Sequence, residues 1–150
     1  MLDRHIHPRL KPLLHRCVSI IDKPAITPDG LTLVGFAIGV LALPFLALGW
    51  YPAALAVIVL NRLFDGLDGA LARRRGLTDA GGFLDISLDF LFYALVPFGF
   101  MLADPAANSL AGGWLLFAFM GTGSSFLAFA ALAAKHQIDN PGYAHKSFYY

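Results

Sequence analysis

The sequence contains twenty consecutive residues without an ionisable side chain, LTLVGFAIGVLALPFLALGW at positions 31–50. A helix of about twenty apolar residues is long enough to cross the hydrocarbon core of a bilayer. The rest of the chain has the same character, because 57% of its 150 residues are hydrophobic and only 14% are charged. Soluble domains contain roughly 25% charged residues. The sequence therefore predicts an integral membrane protein.

Three further segments are predicted to cross the membrane, at about 52–73, 82–103 and 110–134. The second is apolar only as far as residue 64 and must continue into a charged stretch to cross. Residues 2–21 place apolar side chains at helical spacings with basic residues between them, which is typical of a helix lying in the membrane surface. The predicted fold is an all-α, polytopic transmembrane helix bundle with an N-terminal amphipathic interfacial helix, and residues 1–150 form one membrane domain.

Basic residues indicate how the chain is oriented. They stand before the first span, after the second and after the fourth, at Arg4, Arg9, Lys11, Arg16, Lys23, Arg73, Arg74, Arg75, Lys135 and Lys146. The turns predicted at 50–52 and 104–109 contain neither Lys nor Arg. Because basic residues collect on the cytoplasmic side, we expect a cytoplasmic (inner) membrane protein whose N-terminus, residues 65–89 and C-terminus face the cytoplasm. A net charge of +1 gives no basis for a nucleic-acid partner.

The stretch 65–89, DGLDGALARRRGLTDAGGFLDISLD, places charges between two apolar segments. Acidic and small residues recur there at helical spacing, in one row before the arginines and one row after them. The first row is Asp65, Asp68, Gly69 and Ala72, and the second is Gly81, Asp85 and Asp89. Residues spaced three, four or seven apart share a helix face. Since a short loop joins the two helices as antiparallel neighbours, we expect four carboxylates to converge near the cytoplasmic interface.

Four neighbouring carboxylates repel one another unless a cation binds between them. Oxygen ligands favour Mg²⁺, Mn²⁺ or Ca²⁺ over zinc, and two metal ions that share carboxylates are suited to phosphoryl chemistry. Gly69 and Ala72 leave room on the helix face, and Arg73 can bind a phosphate with two hydrogen bonds. The pattern indicates a pyrophosphate substrate. The plainer alternative is a solvated helix end with ion pairs, and Arg62 either snorkels to the interface or lines the site.

This stretch resembles the CDP-alcohol phosphotransferases, also called CDP-alcohol phosphatidyltransferases. Their signature is D-x2-D-G-x2-A-R, seven or eight residues, and then G-x3-D-x3-D, and the sequence matches it at every position over 65–89. The resemblance implies an integral membrane enzyme of phospholipid biosynthesis. Such an enzyme transfers a phosphatidyl or similar group from a CDP-linked lipid donor, such as CDP-diacylglycerol, to a hydroxyl of a small alcohol acceptor and releases CMP.

The resemblance also implies roles for individual residues. Two divalent ions, Mg²⁺ or Mn²⁺, would be bridged by Asp65 and Asp85, with Asp68 on the first ion and Asp89 on the second. Asp89 would also be the general base for the acceptor hydroxyl. The CDP donor would be contacted by Asp29, Thr32, Gly69, Ala72, Arg73, Thr78 and Gly81. The implied partners are the lipid donor, the alcohol acceptor, membrane lipid and a second copy of the chain in a homodimer.

Four points in that resemblance stay open. Asp29 stands where the family often has Asn, and Thr78 is as well explained by capping of a loop. The family usually has six spans and four are found, so we expect a chain truncated at its C-terminus. Phe90 follows the last aspartate where glycerophosphate-using members often have Lys, which argues against that acceptor without selecting another. The alternatives are a divalent-cation transporter and a non-catalytic membrane fragment of the family.

Overall fold

The computed structural model describes residue 22 and residues 25–136, and within them all regular structure is helical. The helices are α1 (Pro28–Val40), α2 (Ala42–Ala47), α3 (Tyr51–Arg75), α4 (Asp79–Ala103) and α5 (Pro105–Lys135). The predicted all-α transmembrane bundle is confirmed. The interfacial helix predicted at 2–21 lies outside the described residues.

Side chains just ahead of three helices define where those helices begin. Thr27 Oγ1 accepts a hydrogen bond from Gly30 N at 3.0 Å, and Thr78 Oγ1 accepts one from Gly81 N at 3.0 Å. Asp104 does the same for α5. These caps satisfy amide groups that have no partner inside the helix. Because Asp104 caps and Pro105 suits the first helical position, the turn predicted at 104–109 is almost entirely helical.

The first predicted span is a broken helix. Pro44 has no amide hydrogen to donate to Val40, four residues earlier, and α1 ends at Val40. After Leu41, α2 continues to Ala47, so that 28–47 still forms one apolar segment long enough to cross a membrane.

Glycines allow α1 to pack closely against α3. A Cβ atom at Gly35 would lie 2.7 Å from Phe64 Cβ, and one at Gly39 would lie 2.8 Å from Asn61 Nδ2. From Gly35 to Gly39 the residue number rises along α1, while from Phe64 to Asn61 it falls along α3. The two helices therefore run antiparallel. Small residues that permit such close approach are common between membrane helices.

The first and third spans run in the same direction. A Cβ at Gly39 would lie 2.9 Å from the Phe92 ring, and one at Gly99 would lie 2.8 Å from Leu46 Cβ. Residue numbers in 28–47 therefore increase in the same direction as those in α4, so the two segments are parallel. Since α3 connects two parallel segments, it must return the chain to the end at which α1 began. The arginine-rich end of α3, the loop at 76–78 and the beginnings of α1 and α4 thus lie at one end of the bundle.

Within residues 25–136, three segments are long and apolar enough to cross a membrane, namely Pro28–Ala47, Asp79–Ala103 and Pro105–Lys135. The second predicted span, within α3, does not meet the same criteria in composition because its second half contains arginines and aspartates. Its crossing remains a prediction, which the parallel directions of 28–47 and α4 support. Large apolar side chains cover the outside, as at Trp114, Phe117 and Met120, which are 65%, 70% and 73% exposed.

Candidate active site

A shallow cleft, partly open to its surroundings, lies where α1, α3 and α4 meet. Side chains from all three helices line it: Thr32, Gly35, Phe36, Asn61, Arg62, Asp65, Asp68, Asp85, Leu88 and Asp89. The four aspartates predicted from the spacing all face this cleft. Helix α3 supplies the largest share of the polar groups, because its row of acidic residues points between α1 and α4.

Three of the four carboxylates form a compact group. Asp65, Asp68 and Asp85 each offer one oxygen, and these oxygens all lie within 4.8 Å of one another. Asp68 is 3% exposed, and its Oδ2 has no hydrogen-bond donor among the described residues. A buried polar atom without a partner is costly. A donor set made only of carboxylate oxygens fits a hard divalent cation such as Mg²⁺ or Mn²⁺, which would also satisfy that oxygen.

Asp89 lies in the same cleft in different surroundings. Its Oδ1 accepts a hydrogen bond from Arg62 Nη2 at 2.8 Å, and its Oδ2 accepts one from the Tyr93 hydroxyl at 3.1 Å. In the described part of the chain, it is not a member of the group within 4.8 Å. The structure therefore brings Asp89 to the site, while its roles as metal ligand and as general base remain predictions.

The sequence left open whether Arg62 snorkels to the interface or lines the site. In the structure it lines the site. Its Nε and Nη2 donate to Asn61 Oδ1 at 2.9 and 2.7 Å, and its Nη1 donates to the Tyr93 hydroxyl at 3.1 Å. Its guanidinium carbon lies 4.7 Å from the centre of the Phe92 ring and 5.2 Å from that of Tyr93. Nη1 is also 3.6 Å from Asp65 Oδ2.

Asn61 and Tyr93 were not found from the sequence. Asn61 is 4% exposed, and its Nδ2 donates to Gly35 O at 2.9 Å, which ties α3 to α1. A polar residue within an apolar membrane segment was an available signal, because such residues often face functional interiors. Tyr93 follows Asp89 by four residues and so shares its helix face.

The residues predicted to contact the CDP donor are spread around the same end of the bundle. Thr32 lines the cleft, and its hydroxyl donates to Pro28 O at 3.1 Å. Asp29 approaches the start of α4, since a Cβ at Gly81 would lie 3.0 Å from Asp29 Oδ1. Thr78 caps α4, in agreement with the plainer explanation for it.

The remaining residues predicted to contact the CDP donor lie along the second half of α3. A Cβ at Gly69 would lie 3.3 Å from Arg73 Nη1, so the Arg73 side chain folds back over Gly69. Ala72 is half-buried beside it and does not line the cleft.

The three consecutive arginines divide into two kinds. Arg74 Nε lies 3.0 Å from Asp22 Oδ2, and Arg75 Nη2 lies 2.7 Å from Asp22 Oδ1. Arg75 also donates to Ile26 O. These two arginines hold the segment before α1 against the end of α3. Arg73 takes part in no salt bridge within the described residues, which leaves its guanidinium available for a phosphate.

Comparison with known proteins gives the chain relatives at several distances. The model of a family described as "CDP-alcohol phosphatidyltransferase" matches residues 25–146. The chain is 88% identical over 150 residues to the "Inner membrane protein YnjF" of Escherichia coli K12, and the match covers all of this chain and 73% of that protein.

Two archaeal proteins are more distant. "Archaetidylinositol phosphate synthase" of Pyrococcus horikoshii is 38% identical over 65% of this chain and 52% of its own length. The protein of the same name from Methanothermobacter thermautotrophicus is 36% identical over 61% of this chain and 48% of its own length. The match thus spans about half the length of these two relatives. No solved structure gives a significant match to the chain.

Proposed function

The chain belongs to the CDP-alcohol phosphatidyltransferase family, and from this premise we propose its reaction. It transfers a phosphatidyl or similar substituted phosphate group from a CDP-linked lipid, such as CDP-diacylglycerol, to a hydroxyl of a small alcohol. The observation that carries the proposal is the group of Asp65, Asp68 and Asp85, whose buried Asp68 Oδ2 has no donor within the described residues. Such a group fits metal-bound pyrophosphate better than a solvated helix end.

The proposed metal site takes two divalent ions, Mg²⁺ or Mn²⁺. Asp65, Asp68 and Asp85 would hold them, and Asp89 would complete the set. When bound, the ions neutralise the pyrophosphate and the charge that develops on the leaving CMP.

The polypeptide itself would bind and orient the donor. Arg73 is proposed to hold a donor phosphate, because its fork of N–H groups has no carboxylate partner in the described residues. Gly69 lies beneath that arginine, and Thr32 is the residue of the predicted CDP-donor site that lines the cleft itself. Four other residues are proposed to complete the donor site at its rim: Asp29, Ala72, Thr78 and Gly81.

The proposed role of Asp89 is to take the proton of the acceptor hydroxyl. The acceptor oxygen then forms a bond to the phosphorus that carries the lipid group. The P–O bond of the pyrophosphate breaks, and CMP leaves with the electron pair. The lipid tails remain in the bilayer while the polar groups react in the cleft at its edge.

We further propose that this end of the bundle faces the cytoplasm of an inner-membrane protein. The distribution of basic residues supports the orientation, and the 88% identical E. coli protein is named an inner membrane protein. A homodimer is also proposed, and its support is the family resemblance.

The direct test measures CMP release from purified protein with CDP-diacylglycerol, Mg²⁺ or Mn²⁺, and a panel of alcohols. The panel includes inositol and inositol phosphate, because two relatives are named archaetidylinositol phosphate synthase. We expect release that depends on one alcohol and stops when a chelator is added. The full-length E. coli relative is the parallel sample, and release from it alone would mean that the reaction needs its additional residues. Release from neither protein would contradict the proposal.

A further inference from the structure

We propose that Arg62 is a positioning residue that holds the Asp89 carboxylate beside the aspartate group and directs it toward the acceptor hydroxyl. The inference rests on the proposed transferase function and adds to it a residue outside the signature 65–89. It is carried by hydrogen bonds and ring contacts that connect Arg62 to Asp89 on one side and to α1 on the other.

The Asp89 carboxylate is fixed through both of its oxygens. Arg62 Nη2 donates to Oδ1 at 2.8 Å, and the Tyr93 hydroxyl donates to Oδ2 at 3.1 Å. Arg62 Nη1 in turn donates to that hydroxyl at 3.1 Å. A carboxylate held by two donors from different directions cannot rotate freely, which is what a general base needs if it is to meet one particular hydroxyl.

Arg62 is itself held in place from behind. Asn61 Oδ1 accepts hydrogen bonds from both Nε and Nη2 of Arg62, and Asn61 Nδ2 donates to Gly35 O at 2.9 Å. The guanidinium also lies over the rings of Phe92 and Tyr93, at 4.7 and 5.2 Å from their centres. Contacts of this kind favour one position of the cation. Contacts from helices α1, α3 and α4 together therefore fix the position of Asp89.

The same guanidinium sets the spacing between Asp89 and the aspartate group. Nη1 lies 3.6 Å from Asp65 Oδ2, so one rigid cation touches a member of that group and the proposed base at once. All three guanidinium nitrogens already interact with protein groups, which argues against Arg62 as a binder of substrate phosphate. Removing Arg62 should therefore impair the chemical step more than substrate binding.

The test compares Arg62→Ala and Arg62→Lys with the wild-type protein. For Arg62→Ala we expect kcat to fall roughly 100-fold, as for a misplaced catalytic group. The KM for CDP-diacylglycerol should stay within about three-fold. Mn²⁺ affinity, measured by titration without substrate, should hold or increase because a nearby positive charge is removed. Arg62→Lys should retain an intermediate kcat, since an ammonium can pair with Asp89 but cannot reproduce the planar set of contacts.

Two further measurements separate positioning from a general structural role. Added guanidinium ion should partly restore the kcat of Arg62→Ala, because the site between the Phe92 and Tyr93 rings remains. Tyr93→Phe should lower kcat about 10-fold by removing one of the two donors to Asp89. Tyr51→Phe is the matched control, since Tyr51 stacks on Phe100 at the other end of the bundle.

Unchanged kcat in Arg62→Ala would overturn the inference, as would a joint loss of kcat and Mn²⁺ affinity in a folded protein. If Arg62→Ala fails to fold, Arg62→Lys and Tyr93→Phe decide by the same criteria. A wild-type protein that releases no CMP would contradict the proposed function instead. In that case a double-mutant cycle of Arg62→Lys and Asp89→Asn on thermal unfolding decides, and additive effects would refute the pairing.

Discussion

Asp68 is the residue whose environment is hardest to explain without a bound cation. It is 3% exposed, and its Oδ2 has no donor in the described chain, while Asp65 and Asp85 each place an oxygen within 4.8 Å. Burying a carboxylate next to two others costs free energy unless an opposite charge compensates. A group of this kind is therefore expected to lower the stability of the metal-free protein and to make its stability depend on the metal.

Asp68→Asn should weaken the dependence of stability on the metal. In the absence of divalent ions, we expect the variant to unfold at the same temperature as the wild type or higher, because one negative charge is removed from the group. Mn²⁺ at a hundred times its dissociation constant should stabilise the wild type by about 2.7 kcal/mol and the variant far less. Thermal unfolding in detergent with and without Mn²⁺ measures both. Asp79→Asn, at an exposed position, is the control. Equal Mn²⁺ stabilisation of wild type and Asp68→Asn would contradict a metal site at Asp68.

Asp89→Asn should impair the chemical step. The amide retains the size of the carboxylate but cannot take a proton, so kcat should fall about 10²–10⁴-fold, while the dissociation constant for CDP-diacylglycerol changes little. Single-turnover CMP release and equilibrium donor binding measure the two quantities. Asp104→Asn serves as the control, because Asn also caps a helix well. Full activity in Asp89→Asn would falsify the assignment of the base.

At the residue scale, the sequence located the aspartates but not their surroundings. Helical spacing sufficed to bring Asp65, Asp68 and Asp85 together, and the family resemblance that it suggested is confirmed by the match over 25–146. The contacts of Asn61 and Tyr93 could not be predicted in the same way. They depend on the rotation and separation of α1, α3 and α4, which follow from packing rather than from spacing along one helix.

At the scale of elements, glycines determine how closely the helices approach one another. Gly35 and Gly39 stand four residues apart on the face of α1 that meets α3, and both are buried. The sequence predicted an apolar span here. It did not indicate that the span breaks at Leu41, because Pro44 can kink a membrane helix or interrupt it. Which of these happens depends on what packs around the proline.

Gly39→Ala should destabilise the protein and reduce its activity together. The added methyl group would lie 2.8 Å from Asn61 Nδ2 and 2.9 Å from the Phe92 ring, so the helices must separate or side chains must shift. We expect a loss of about 1–3 kcal/mol of unfolding free energy. Asn61 supports Arg62, so kcat should fall as well.

Gly113→Ala is the matched control for that prediction. Among the described residues, no atom beyond its own stretch of helix lies within 4 Å of the place that a methyl group at Gly113 would take. Ala also favours helix over Gly by about 1 kcal/mol. Equilibrium unfolding in detergent and CMP release measure both variants. A Gly39→Ala protein as stable as Gly113→Ala would show that α1 and α3 have room for a methyl group at Gly39.

At the scale of the whole molecule, the exposed surface is apolar where the lipid would be and polar at one end. Large side chains such as Leu110, Trp114 and Phe117 are 76%, 65% and 70% exposed on α5. In water such a surface would be unfavourable, whereas in hydrocarbon it costs nothing. This distribution could be predicted from the sequence, because apolar segments are found where a chain is surrounded by lipid and charged segments where it meets water.

The crossing of α3 is the part of the topology that composition alone does not decide. It contains Arg62, Asp65 and Asp68 from its middle onward, yet 28–47 and α4 run in the same direction and α3 joins them. The turn at 48–50 and the loop at 76–78 must therefore lie at opposite ends of the bundle. Charged residues within a membrane helix are tolerated where they face a protein interior or a water-filled cleft, and the cleft supplies such a place.

Cysteine labelling tests both the crossing and the orientation. Trp50→Cys and Leu77→Cys are each made together with Cys17→Ser, which removes the one cysteine of the sequence. Both positions are accessible, at 58% and 49% exposed. A membrane-impermeant maleimide should label Trp50→Cys from the outside of spheroplasts and Leu77→Cys only in inverted vesicles. Labelling of both from one side would mean that α3 does not cross. The reverse pattern would place the aspartates on the side of the membrane away from the cytoplasm, where CDP-linked donors are not expected, and the proposed reaction would then lose its supply of substrate.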